Sequence, residues 1–175
     1  MTAALAFFLL AAAQTGPAAA PAPPPPPSGA ALASAFSRYC LATGGDRSKF
    51  DAEVERAKIR KTSSPSLFSG VEFNRRWDVE GVELAYLDAP PPSGRACSVS
   101  AAVRGGYDGA SIASAVAAAA KTTLHQTGQS DGMRVWESID AQGNVLIVNN
   151  RVGPYFAGTE IILRPARQPA EEAAR

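Results

Sequence analysis

Apolar and polar positions fall into four successive rhythms along the chain. Ala3 to Ala13 (AALAFFLLAAA) is an unbroken apolar run, and Gln14 to Ser28 (QTGPAAAPAPPPPPS) holds seven of the 14 prolines. Helical spacing follows. Ser28 can cap a helix in which Leu32, Phe36, Tyr39 and Cys40 recur on one face until Gly44-Gly45 stops it. Asp46 can cap a second helix with Phe50, Val54 and Ala57 inward, its charged residues forming a solvated face with acids before bases.

After Ser63-Ser64-Pro65 the period becomes two. Val82 to Leu87 and Cys97 to Val103 read as strands joined across Pro90 to Gly94, with Cys97, Val99, Ala101 and Val103 sharing one face. Asp108 caps an Ala-rich helix expected from Gly109 to about Leu124, and three further strands are expected over Met133–Asp140, Asn144–Val152 and Ala157–Arg164. The pattern predicts an α+β domain: two N-terminal helices, then an antiparallel sheet of about five strands in β-β-α-β-β-β order, covered on one face by helices. Without βαβ alternation, a dinucleotide fold is not expected.

The leading segments set the expected organisation. Residues 1–13 read as a signal peptide, with Ala11 and Ala13 supplying the small-x-small site for cleavage after Ala13, although no Lys or Arg precedes the apolar run. As a helix that run is about 16 Å long, half of what a bilayer requires, so no stable membrane span is expected after cleavage. Residues 14–30 read as a proline-rich disordered linker, 31–164 as a single domain, and 165–175 as a frayed tail. No charged residue precedes Arg38. The expected location is therefore periplasmic or secreted.

Composition narrows the chemistry. With 17 Lys and Arg against 16 Asp and Glu, no global field draws the chain to nucleic acid. One histidine, His125, and two cysteines, Cys40 and Cys97, are too few for the common zinc sites, and no metal or other cofactor is expected. Two cysteines in an exported chain have one pairing. Each is expected on a core face, which predicts a Cys40–Cys97 disulfide.

No catalytic motif is found. Gly109-Ala110-Ser111-Ile112-Ala113 only approaches G-x-S-x-G and opens a helix, no serine has a lysine three residues on, and Gly105 to Gly109 lacks the lysine of a phosphate loop. His125 is expected to favour a helix C-terminus. Asp140 to Asn144 has too few oxygen ligands for a calcium loop and reads as a hairpin turn. Arg75, Arg76 and Trp77 combine planar donors with a large ring, a possible contact for a partner.

Phe36-x-x-x-Cys40, Gly44-Gly45-Asp46, Cys97-x-Val99 before an Ala-rich helix, and two Trp together resemble a family of small exported bacterial proteins of unknown function. The resemblance runs over most of residues 31–164, implies export and a paired Cys, and brings no activity with it. The expectation is thus a non-enzymatic binding or structural module of the cell envelope, its partner an unidentified envelope protein or glycan. The alternative is a small carboxylate-dependent hydrolase drawing its acid–base pair from Asp78, Glu80, Glu137 and Asp140.

Overall fold

The computed structural model describes residues 27–62, 75–88, 94–102, 108–130, 132–153 and 157–165. The leader, most of the linker, the Ser63-Ser64-Pro65 break, Pro90 to Ser93 of the expected turn and most of the tail lie outside these residues.

Helix α1, Gly29–Phe36, starts where Ser28 Oγ accepts from the Ala31 N–H, and runs into a π-helical turn, Ser37–Leu41. Gly44 and Gly45, both at positive φ, stop it there, since the left-handed backbone favours glycine. Asp46 caps α2, Arg47–Arg56, by accepting from the Lys49 N–H. Among the described residues eight strands follow, with one helix between the fourth and fifth: β1 Arg60–Lys61, β2 Arg75–Val79, β3 Val82–Asp88, β4 Arg95–Ala102, α3 Gly109–Ala120, β5 His125–Ser130, β6 Met133–Ile139, β7 Asn144–Arg151 and β8 Gly158–Pro165. All pair antiparallel in one sheet of order β1-β2-β3-β4-β8-β7-β6-β5.

The expectation of about five strands in β-β-α-β-β-β order is overturned, because the sheet has eight strands and four of them precede α3. Strands β1, β2 and β5 are the additions. Each is too short or too polar to announce itself by alternation: β5 reads His-Gln-Thr-Gly-Gln-Ser and is held by its pairing with β6, with a bulge between Gln126 and Gly128. Helix α3 also ends earlier than its pattern suggested, at Ala120, where Lys121 takes a left-handed conformation (φ 52°). His125 consequently opens an edge strand opposite Glu137 and does not sit at the helix terminus.

One face of the sheet carries the main core. Leu32 and Phe36 of α1, Phe50 and Val54 of α2, and Ile112, Ala113 and Val116 of α3 pack with Trp77, Leu84, Tyr86, Cys97, Val99, Trp136, Leu146, Val148, Ile161 and Leu163. Phe50 anchors α2, edge-on to Trp77 at 5.2 Å and 4.8 Å from the Tyr86 ring. Tyr86 Oη donates to the Gly45 carbonyl at 2.8 Å, fixing the turn before α2 onto β3. Tyr86→Phe keeps the ring but strands that carbonyl, and an unfolding free energy about 1 kcal/mol lower is expected in denaturant titration.

Candidate functional site

Cys40, in the π-helical turn, and Cys97, on β4, form a disulfide with a Cα–Cα separation of 5.5 Å. Both residues are fully buried in the main core. The bridge therefore ties the first helical segment to a central strand, and no free cysteine remains to act as a nucleophile.

The opposite face of the sheet is chemically different. Alternation turns Ala85, Leu87, Ala96 and Ile162 to this side, where they form a second, smaller apolar cluster whose described members all lie on strands. Beside it the registers line up a polar row across six strands. Arg60 of β1 stands opposite Asp78 of β2, Asp78 opposite Glu83 of β3, Glu83 opposite Ser100 of β4, Ser100 opposite Glu160 of β8, and Glu160 opposite Asn149 of β7.

Glu160 is the unusual member. Only 3% of it is exposed, with Ser98 and Ser100 buried beside it. Burial raises its carboxyl to about 7, opposed by a hydrogen bond with the Asn149 side chain and assisted by the negative charge of Glu83. A carboxyl that exchanges its proton near neutrality suits acid–base work, and such groups gather at functional sites more often than elsewhere. The sequence carries a trace of it, a lone charge in Thr159-Glu160-Ile161-Ile162-Leu163, but only the strand order shows that β8 is central.

The sequence-derived candidates are dispersed. Strand alternation places Arg75 and Trp77 on the helix-covered face and Arg76 on the other, so the three do not make one surface. Trp77 lies in the core, and Arg75 Nη1 donates to both carboxylate oxygens of Asp51 at 2.7 and 2.8 Å. Asp78 joins the polar row, Glu80 occupies the β2–β3 turn at φ 54°, and Glu137 lies on β6. Asp140 closes the β6–β7 hairpin, its carboxylate accepting from the Gln142 and Asn144 N–H groups and from Asn144 Nδ2. Five strand spacings separate β2 from β6, which puts Asp78 and Glu137 roughly 24 Å apart across the sheet. Paired glycosidase carboxyls stand about 5 to 9.5 Å apart.

Among the described residues no group of three or more His, Cys, Asp or Glu is placed to hold a metal ion, and no helix is long and apolar enough to cross a membrane. No protein-family model, curated protein or solved structure matches the chain.

Proposed function

We propose that this chain is an exported module of the cell envelope, held together by the Cys40–Cys97 bridge, that works through binding or structural contacts and not through catalysis. The disulfide carries the reading: such bonds persist in oxidising compartments and are rare in the cytosol, where thiols are kept reduced. The apolar leader followed by a proline-rich stretch points the same way, as does the resemblance to small exported bacterial proteins. The roughly 24 Å between Asp78 and Glu137 weighs against the hydrolase alternative.

Cell fractionation with thiol trapping tests the proposal. The protein is expected in the periplasmic or envelope fraction with both cysteines protected from alkylation, and purified protein is expected to turn over neither glycoside nor ester test substrates. Recovery in the cytosol, or turnover abolished by Glu160→Gln, would overturn it.

A further inference from the structure

Where β5, β6 and β7 meet the start of α3, a hollow of about 280 Å³ opens between Asp108, Gly109, Gln129, Ser130, Arg134 and Asn150. Its floor is Asn150, on the helix-facing side of β7 and 4% exposed. The fully buried Thr159, its register partner on β8, donates its hydroxyl to Asn150 Oδ1 at 2.7 Å. That bond uses the oxygen end of the amide. Nδ2 keeps two hydrogens with no acceptor among the described residues. Asn150 is one of the residues that line this hollow. Gly109 permits the arrangement, because a Cβ there would stand 2.7 Å from Asn150 Cγ and Nδ2.

The rim supplies both hydrogen-bonding polarities. Asp108 uses Oδ1 to accept from the Ala110 N–H at 3.1 Å, leaving Oδ2 as an acceptor. Arg134, exposed on β6, makes no ion pair among the described residues and is a donor only. Gln129 and Ser130 offer a donor and an acceptor each. A small anion would be drawn to Arg134 and the helix N-terminus but would stand against the Asp108 carboxylate, which already complements that dipole. A neutral diol meets neither conflict: one hydroxyl donates to Asp108 while its neighbour accepts from Asn150 Nδ2 or Arg134. The volume lies just under the roughly 300 to 1,000 Å³ typical of sites for drug-sized ligands, which suits a single ring.

We infer that this hollow binds a neutral polyhydroxylated ligand, a sugar residue by class, with Asn150 and Arg134 as donors and Asp108 as acceptor. The inference rests on the binding-module reading above and gives it a location and a ligand class.

The test is a ¹⁵N–¹H NMR titration of the full oxidised chain with glucose and N-acetylglucosamine, run beside inorganic phosphate and acetate. The sugars are expected to shift the Asn150 side-chain amide pair and the Gly109 and Ser111 amides. Arg134→Ala, an exposed change that leaves the core intact, is expected to weaken the response about tenfold, as loss of one charge-assisted hydrogen bond does. Shifts of these signals by phosphate or acetate but not by sugar would overturn the assignment in favour of an anion site, and silence with all four probes would remove the site. Either result beside oxidised protein in the envelope fraction leaves the proposed function standing. Recovery from the cytosol would remove that function whatever the titration shows.

Discussion

Replacing both Cys40 and Cys97 with Ser is expected to lower the unfolding free energy by about 4 kcal/mol. The bridge spans 57 positions in the sequence. A closed loop of that length removes much of the conformational freedom of the unfolded chain, and the chain-entropy model converts the restriction into this figure. The loss is large beside the roughly 5 to 15 kcal/mol that holds a typical domain together. It also acts at a sensitive place, because the bridge fastens the π-helical turn after α1 to β4, a strand in the middle of the sheet. Equilibrium denaturation of the double variant against the oxidised wild type measures the effect. Unfolding within about 1 kcal/mol of wild type would show that packing alone holds α1 in place.

The second large effect is a pH dependence centred on Glu160. Its folded carboxyl titrates at about 7, whereas in the unfolded chain an ordinary Glu titrates at about 4.3. At low pH both states hold the proton and no penalty arises. As pH rises through the unfolded value, the unfolded state releases its proton first, so the folded state loses relative stability until its own carboxyl ionises. Above the folded value the penalty is complete, on the order of 3 kcal/mol. Glu160→Gln removes the ionisable group. The variant is expected to be more stable than wild type by that amount at about pH 8 and nearly equal to it at about pH 4. The same stability difference at both pH values would show that Glu160 is not held protonated by its burial.

Helix boundaries marked by capping chemistry were legible from sequence. Ser28, Asp46 and Asp108 each accept a hydrogen bond from a backbone N–H in the first turn, as their side chains and positions suggested. The disulfide was legible as well, since only two cysteines exist to pair. Strands β3, β4, β6, β7 and β8 announced themselves through alternation, within one or two residues at their ends.

What was not legible depends on long-range pairing. β5 contains no large apolar residue, and β1 has only two residues, so tertiary partners and not local propensity make them strands. β2 does alternate, through Trp77 and Val79, but over too few residues to separate a strand from a loop holding a Trp. The same limit hid Glu160. A charge in a closing strand reads as a solvent-facing position until β4 and β7 are seen to flank β8, which makes the position central and buried. Asn150, likewise, gains meaning only when Thr159 takes its oxygen and Gly109 brings α3 against its nitrogen.

Export and the single disulfide are both read out by intact-mass measurement and a non-reduced peptide map of protein isolated from the envelope fraction. The expected result is a chain that begins at Gln14 and a single linked peptide pair containing Cys40 and Cys97. A chain that retains Met1, or two cysteines that alkylate freely in the native protein, would contradict it.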